Sequence, residues 1–387
     1  MNKFYISISQ ISNTGFQLFI ILFITKTESL LVVGIYGLIL AYINPIITIF
    51  KLGISQFILS IDDNSNENAY NKVLIFNCLV FITLSFLVSF FLNQDYKWLF
   101  MAVSILKAMQ MIRESFECSY IKNRQENKLF KFIFLGNLLS LLFFIIIYYL
   151  FNNLISSLFA AGIILLIFSV FDIFKIINSK LDLKLKKNDF VPLIKITGTK
   201  FLNSFKSSLP RLFGQIVLSF EELGVFTLLQ QSVNLLDVLN NILMKSNNRL
   251  IVNGFSNHKK SIIIKAVVSY TIPLIVVMVT SIIILFFAGD VILEFVFNEK
   301  MSKYNMLLIL MLFYKNLSMI SSIPKISFII YNKVQITLSF LIIHSIIISV
   351  FLFSSNSLSQ LIIVLSFFEL LLFLGLCIFS YKLFKIR

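Results

Sequence analysis

Twelve apolar runs, separated by short polar breaks, follow one another along the chain. Each run is long enough to cross a bilayer as a helix, which needs about 20 apolar residues. Together they take up almost the whole sequence, so the pattern predicts an all-α integral membrane protein with about twelve transmembrane helices. The predicted spans are residues 4–24, 30–50, 73–93, 98–117, 130–151, 154–177, 192–218, 223–244, 263–288, 305–331, 334–353 and 358–381.

Basic residues are distributed very unevenly over the breaks. Of 33 lysines and arginines, 24 fall in alternate breaks that begin with the N-terminus or in the ends of the adjoining runs, and five lie further inside the runs. The intervening breaks, all short, hold only Lys26, Lys97, Lys300 and Lys303. Because lysine and arginine accumulate in cytoplasmic loops, this alternation supports twelve spans and predicts that both termini are cytoplasmic.

The composition excludes a soluble domain and adds little else. With 58% hydrophobic and 13% charged residues among 387, the chain has too little polar surface to cover a soluble core. The net charge of +15 does not indicate a nucleic-acid partner, since the basic residues form short clusters between apolar runs. Membrane lipids are the expected surroundings.

Residues for cofactor or enzyme chemistry are scarce. Cys78, Cys118 and Cys377 are far apart, and His258 and His344 are the only histidines, so neither a disulfide framework nor a metal site is expected. The sequence has no phosphate-binding loop and no CxxC, HExxH or GxSxG motif. We therefore expect no cofactor, no ATP hydrolysis within the chain and no enzyme activity. The first run is long enough to remain as a span and has no signal-cleavage site.

The chain divides into two halves. We predict an N-terminal six-helix bundle at residues 1–178, a cytoplasmic linker at 179–191 and a C-terminal six-helix bundle at 192–387. A shift of 190 residues places Gly34 over Gly224, Asn13 over Asn203, and Asn44 over Asn234. Since each half has an even number of spans, the two bundles are expected to be related by a pseudo-twofold parallel repeat, with its axis along the membrane normal.

Five basic residues lie inside predicted spans, where each costs about 3 kcal/mol on the lenient insertion scale. Three of them are in the seventh span, in which Lys200, Ser204, Ser207 and Arg211 recur along one helical face with Ser208 beside it. Pro210 is expected to kink this helix. A bent, basic, serine-rich helix inside a membrane suits an anionic ligand. The five bases are Lys107, Lys200, Lys206, Arg211 and Lys315, with Lys206 off the serine stripe.

Structural explanations compete with ligand binding for most of these residues. Lys200 can extend to the inner interface as a snorkelling lysine. Lys107 and Lys315 can pair with acidic neighbours such as Glu114, Asp237 or Glu369. Arg211 has no acid within a turn, although Glu221 can approach it from the outer end of the span. Arg211 is therefore the strongest candidate for a cavity residue.

Neutral polar residues and two acids complete the candidate set. Asn13 and Gln17 in the first span, and Gln230 and Asn234 in the eighth, suit the hydroxyls of a sugar. Hydrogen bonds between helices explain them equally well. Asp172 and Glu369 are candidate cation sites, but ion pairs with Lys175 and Lys382 are the simpler interpretation.

Ser207–Leu229 is similar to part of the polysaccharide-unit flippases, the O-antigen and capsule repeat-unit translocases of the multidrug/oligosaccharidyl-lipid/polysaccharide exporter superfamily. The similarity lies in a Pro-Arg pair late in span seven, at Arg211, and in a Leu-Gly-hydrophobic-Phe sequence that opens span eight at Leu223. Gly34–Leu38 and Lys51–Ser55 resemble the same family's N-terminal pattern. Relatives often place an arginine in the N-terminal spans, where none is predicted here.

The resemblance implies a transporter of the bacterial cytoplasmic (inner) membrane. Its substrate would be a polyprenyl-diphosphate-linked glycan, turned from the cytoplasmic to the outer leaflet for O-antigen or capsule synthesis. A polysaccharide polymerase and a chain-length regulator are the partners that the resemblance implies. If the family's site residues are transferred to this sequence, the diphosphate or acidic sugars would be held by Arg211, Lys206 and Lys107. Lys315 is a further basic candidate. Asn13, Gln17, Gln230 and Asn234 would meet the glycan, and Asp237 is the candidate for ion coupling.

Two other functions remain open. A multidrug or cation antiporter of the same superfamily would share the twelve spans, but its cationic substrates favour acidic residues in the cavity. An integral-membrane polysaccharide polymerase needs a sizeable outward loop or domain for its chemistry, and the predicted outward loops are short.

Overall fold

Helices make up nearly all of the described chain, and none of its residues forms a strand. The computed structural model describes residues 3–60, 67–178, 190–256, 260–297, 299–330 and 333–386. The helices of the N-terminal half are α1 (Lys3–Thr27), α2 (Leu30–Phe50), α3 (Ile54–Ser60), α4 (Glu67–Ser89), α5 (Gln94–Lys122), α6 (Glu126–Leu129), α7 (Gly136–Phe151) and α8 (Leu154–Ile177). They are followed by α9 (Phe190–Val217), α10 (Phe220–Asn234), α11 (Leu236–Ser256), α12 (Lys260–Val296), α13 (Asn305–Ile320), α14 (Ser322–Ile330), α15 (Val334–Phe353) and α16 (Leu358–Ile386).

Two short segments of other helix types complete the architecture. A π-helix at Phe130–Leu135 joins α6 to α7, and a 3₁₀ helix at Glu299–Tyr304 leads into α13. Each of the twelve predicted spans overlaps one of these helices or two consecutive ones, which confirms the predicted all-α membrane fold. Eight helices of the described chain are long and apolar enough to cross a membrane by composition alone. The other predicted spans fall on α1, α5, α9 and α10–α11, which carry most of the candidate polar residues.

The helix contacts divide the chain into two compact units. The first comprises Met1–Ile20 and Ile39–Ser208, and the second comprises Ile21–Leu38 and Leu209–Arg387. Helices α1, α2 and α9 therefore each contribute to both units, whereas the predicted bundles have boundaries at residues 178 and 192. Residues 179–189 of the predicted linker lie outside the described residues, and the predicted bundle boundaries stay a prediction.

Each unit has its own buried core. In the first, α5 packs against α4 and α8, α7 packs against α8, and α3 lies on α5. In the second, α12 packs against α11 and α13, while α16 packs against α13 and α15. Tyr270 is fully buried in the core of the second unit. Its hydroxyl lies within hydrogen-bond distance of two acceptors, the Met319 carbonyl (2.8 Å) and Asn240 Oδ1 (2.5 Å), and donates to one of them at a time.

The starts of α2 and α10 cross at glycines within the second unit. A Cβ added to Gly34 would collide with the Phe220 carbonyl, and one added to Gly224 would collide with the Leu30 carbonyl. Leu30 and Phe220 are also 190 residues apart, so the two contacts are reciprocal. This is the symmetry that the predicted repeat requires. Only glycine at both positions permits the two backbones to approach so closely.

Two predicted spans are interrupted. The span predicted at 305–331 is divided between α13, which ends at Ile320, and α14, which begins at Ser322. Residues 223–244 were expected to form one helix, but α10 ends at Asn234 and α11 begins at Leu236. Neither proline nor glycine lies at this break, so the sequence has no signal for it. In transporters, broken helices at membrane depth commonly line binding sites.

Candidate substrate site

Arg211 lies near the C-terminal end of α9 and is buried, with 4% of its surface exposed. Its Nε donates to Gln230 Oε1 of α10 (2.7 Å), and one terminal nitrogen, Nη1, donates to the Gly37 carbonyl of α2 (3.0 Å). The phenol of Tyr36 is close enough to interact with it electrostatically. Arg211 and Gln230, both predicted as site residues, are thus directly bonded.

The partners of Arg211 are neutral. Among the described residues no carboxylate forms an ion pair with it. Glu221, which the sequence left open as a partner, is exposed at the start of α10. A buried guanidinium held only by an amide and a carbonyl keeps its full positive charge, and a protein usually pairs such a charge or exposes it to an anion. This arrangement makes Arg211 the centre of the candidate site.

The predicted serine stripe of α9 is wrong in part. Ser207 is exposed and donates to the Ser204 carbonyl of its own helix. Lys206, placed off the stripe, is instead buried, with 6% exposed. The helix continues through Pro210 to Val217. Lys206, Ser208 and Arg211 are therefore buried on more than one side of α9, and the stripe is interrupted at the exposed Ser207.

Lys315, Asn234 and Asp237 form a second group, at the break between α10 and α11. Lys315 Nζ donates to Asn234 Oδ1 (2.8 Å) and pairs with Asp237 Oδ2 (2.7 Å). Of the two alternatives for Lys315, the structure favours pairing with an acid. The side chain of Asp237 remains 43% exposed, so this ion pair is accessible at one end.

Asn13 and Gln17 of α1 take part in hydrogen bonds between helices of the first unit. Asn13 Nδ2 donates to Glu117 Oε2 (3.0 Å), and its oxygen accepts from Asn137 Nδ2 (2.8 Å). Gln17 Nε2 reaches Gln110 Oε1 of α5 at 3.5 Å. The structural alternative left open for these residues is therefore the one that the structure supports.

Arg113 is a buried arginine that sequence analysis assigned to a cytoplasmic break. It lies inside α5 with 4% of its surface exposed and donates Nη1 to Asn137 Oδ1 (2.7 Å). Its Nη2 bonds the carbonyls of Phe132 and Ile133, in the π-helix. A π-helix shifts the backbone hydrogen-bond pattern, which here leaves these carbonyls to the guanidinium. The N-terminal half therefore contains a buried arginine that was not among the predicted site residues.

The acids of α5 are a second feature that was missed. Glu117 is buried and accepts from Ser9 Oγ (2.8 Å) as well as from Asn13. Glu114 pairs with Lys51 and interacts electrostatically with Lys107, which is 8% exposed. The sequence did contain a signal for these residues. Arg113, Glu114 and Glu117 lie within about one turn of α5, which continues to Lys122, beyond the end of the predicted span at residue 117.

The expected ion pairs of Asp172 and Glu369 are both wrong. Asp172 Oδ2 accepts from the Tyr120 hydroxyl at 2.5 Å. Glu369 is completely buried on α16, and His344 Nε2 of α15 lies 3.8 Å from its Oε2. Lys382, the expected partner, is exposed and lies over the Phe379 ring. Positions 369 and 382 are more than three helical turns apart on α16. The nearer base is therefore His344, on the neighbouring helix α15.

The predicted residues thus fall into separate hydrogen-bonded groups. These groups contain cations, amides and hydroxyls, which are the chemical groups that can hydrogen-bond to a polar ligand. Among the described residues, no cluster of histidine, cysteine, aspartate and glutamate could hold a metal ion.

No protein-family profile matches the sequence, and no curated protein sequence matches it. The fold is nevertheless similar to solved structures over essentially the whole chain. A MOP superfamily transporter from Pyrococcus furiosus, described as having a binding pocket of reverse polarity that suggests a different function, aligns at a TM-score of 0.68 with 12% identity, over 99% of this chain and 94% of that one.

Two further structures have MATE in their descriptions. A Vibrio cholerae MATE transporter aligns at a TM-score of 0.67 with 11% identity, over 100% of this chain and 96% of that one. An inward-facing multidrug resistance MATE family transporter of the MOP superfamily aligns at 0.66 with 10% identity, over 99% and 94%. The chain therefore has the fold of MOP superfamily transporters and is a multi-pass membrane protein.

Proposed function

We propose that the chain translocates an anionic, lipid-linked oligosaccharide across the bacterial cytoplasmic membrane, from the inner to the outer leaflet. The observation that carries this proposal is Arg211, a buried guanidinium whose hydrogen bonds go to Gln230 and to the Gly37 carbonyl. A positive charge inside a transporter attracts a negative substrate and repels a cationic one. A polyprenyl diphosphate supplies negative charge, and its glycan supplies hydroxyls for amides such as Gln230.

A second candidate is export of cationic drugs by antiport. The comparisons favour this candidate, because several of the similar structures are described as multidrug or MATE transporters. Within this chain, the accessible carboxylate of Asp237 is the residue that suits a cation. Lys315 already neutralises that carboxylate, whereas Arg211 has no such counter-charge among the described residues, and for this reason we place anionic substrates first.

The test compares where lipid-linked oligosaccharide accumulates in cells that lack the protein and in cells that carry wild type, Arg211→Gln or Arg211→Lys. Arg211→Gln should leave the intermediate on the cytoplasmic leaflet, with translocation reduced at least tenfold. Arg211→Lys should retain part of the activity, because it keeps the charge but loses the two-point geometry. Lys303→Gln is the control, since Lys303 is an exposed lysine outside the predicted spans.

The outcomes separate the two candidates. Normal delivery of the intermediate by Arg211→Gln, at wild-type protein levels, would overturn the role of Arg211. Normal delivery in the deletion strain, together with increased sensitivity to cationic dyes, would replace the proposal with the antiporter.

A further inference from the structure

The turn between α5 and α6, in the first unit, carries a concentrated positive charge. Residues 121–131 contain four basic residues and a single acid, Glu126. Two of the four, Arg124 and Lys128, line a cleft of about 330 Å³ together with Gln125 and Asn127. All four lining residues are exposed, and among the described residues no ion pair joins either cation to an acid. This α5–α6 cleft therefore presents two cations and two amides to a ligand.

The backbone holds Arg124 in a conformation that normally belongs to glycine. The Gln125 amide donates to the Tyr120 carbonyl (2.9 Å), and the Arg124 amide donates to the Ile121 carbonyl (3.3 Å), which is the Schellman pattern that ends many helices. The residue after the C-cap is left-handed in this pattern and is usually glycine, whereas here it is Arg124, with a φ of 54°. A left-handed residue other than glycine is strained, and such strain concentrates at functional positions. A role for the side chain of Arg124 explains its presence where its backbone is unfavourable.

The turn is anchored, so the cleft is formed before a ligand arrives. Leu129 of α6 has no exposed surface, and its amide donates to the Gln125 carbonyl (3.0 Å). Phe132, in the π-helix that follows, is buried and packs edge-to-face against the rings of Phe116 and Tyr120 of α5. These contacts fix the turn on the end of α5, and a preformed site loses less conformational entropy when it binds a ligand.

The cleft lies at the predicted cytoplasmic interface of the membrane. The predicted span 130–151 begins directly after α6, and Leu138 and Leu142 of α7 are exposed apolar side chains, as expected at a lipid-facing surface. Lys131, exposed at the start of this span, adds a third cation. Basic clusters next to the cytoplasmic end of a span attract anionic lipids of that leaflet. A lipid phosphate is therefore the anion to which this position gives the readiest access.

We propose that the α5–α6 cleft binds the phosphodiester of an anionic phospholipid, such as phosphatidylglycerol, from the cytoplasmic leaflet. Arg124 and Lys128 neutralise the phosphate, and Gln125 and Asn127 hydrogen-bond to the esterified glycerol. A basic loop that served only to fix the orientation would need neither a cleft nor a left-handed arginine. Free phosphate esters share this chemistry, and the position of the cleft beside a span favours the lipid. Either candidate function leaves this site in place.

The experiment uses the full-length protein in phosphatidylcholine nanodiscs that contain a small proportion of photoactivatable phosphatidylglycerol. Peptide mapping after irradiation counts only the lipid bound at residues 121–135. Arg124→Gly and Lys128→Gln should each lower this labelling about fivefold, which corresponds to about 1 kcal/mol for each basic residue near a membrane surface. Lys382→Gln is the matched control, since Lys382 is an exposed lysine at the predicted cytoplasmic end of α16, and it should be labelled as wild type is.

Arg124→Gly also separates lipid binding from folding. Glycine adopts the left-handed conformation without strain, so this variant should be at least as stable as wild type in detergent without anionic lipid. Reduced labelling at undiminished stability supports the site, and Lys128→Gln repeats the test without a change at the strained position. Wild-type labelling of both variants would overturn the proposal.

A competition experiment distinguishes the two sources of phosphate. Glycerol 1-phosphate, added in excess over the photoactivatable lipid, should leave the labelling of residues 121–135 unchanged. Loss of the label when glycerol 1-phosphate only equals the lipid in concentration would identify a free phosphate ester as the ligand and overturn the assignment to a phospholipid.

Discussion

Glu369 and His344 form a buried pair in which each side chain depends on the other. Glu369 has no exposed surface, and the side chain of His344 is 5% exposed, 3.8 Å away on the adjacent helix. From α13, Tyr314 interacts electrostatically with Glu369 as well. The pair is ionic only when His344 is protonated. In that state, removing one member of the buried pair leaves the other charge without compensation, which typically costs about 3–5 kcal/mol.

We therefore predict that His344→Leu lowers the free energy of unfolding by about 3 kcal/mol, and that His344→Leu/Glu369→Leu recovers most of this loss. Reversible unfolding in detergent, monitored by circular dichroism, measures the double-mutant cycle. Ser349→Ala is a control on the same helix, because its hydroxyl bonds only the Ser345 carbonyl within α15. If the double variant is destabilised by the sum of the effects of His344→Leu and Glu369→Leu, the two side chains are not coupled.

At the scale of elements, glycines decide how closely helices approach. Gly34 and Gly224 permit backbone contact between α2 and α10, and added methyl groups there would meet carbonyl oxygens that cannot move aside. Gly198, inside α9, has no atom within 4 Å of the position that a Cβ would take. The same substitution therefore has opposite consequences at the two kinds of position.

We predict that Gly34→Ala and Gly224→Ala each destabilise the protein by about 1–3 kcal/mol through overpacking. Gly198→Ala, the matched control, should be neutral or stabilising by up to about 1 kcal/mol, because alanine has a higher helix propensity than glycine. Thermal unfolding in detergent checks both. Wild-type stability in Gly224→Ala would mean that α2 and α10 do not touch in the membrane.

The sequence predicted the elements better than the contacts. Hydropathy located helices at all twelve predicted positions, because a membrane imposes a simple length requirement on apolar runs. Eight helices of the described chain are long and apolar enough to cross a membrane. Hydropathy could not locate the break at Leu235, which no helix-breaking residue marks, nor the burial of Arg113, which depends on carbonyls that a π-helix exposes. The burial of Arg211 could be predicted because this residue lies well inside a predicted span. The partners of Asn13 and Glu369 come from distant helices, so no local pattern could indicate them.

At the scale of the whole molecule, membrane electrostatics provides a driving force that needs no nucleotide. The distribution of basic residues over the loops predicts cytoplasmic termini, and the interior of a bacterial cell is electrically negative. Moving one charge through 100 mV changes its free energy by about 2.3 kcal/mol. Outward translocation of a substrate with two negative charges is therefore favoured by about 4–5 kcal/mol.

We predict that purified protein in liposomes moves a fluorescent short-chain polyprenyl-diphosphate glycan to the outer leaflet when the lumen is held at −100 mV by a potassium gradient with valinomycin. Without coupling to another ion, the outer-to-inner ratio should rise about a thousandfold at equilibrium, because each 1.4 kcal/mol is a factor of ten. Reversing the potential should reverse the distribution, and liposomes with Arg211→Gln should approach it more slowly. An inside-negative potential opposes export of a cationic drug, so the two candidate functions predict opposite signs. A distribution insensitive to potential, with dye export driven by a proton gradient, would favour the antiporter.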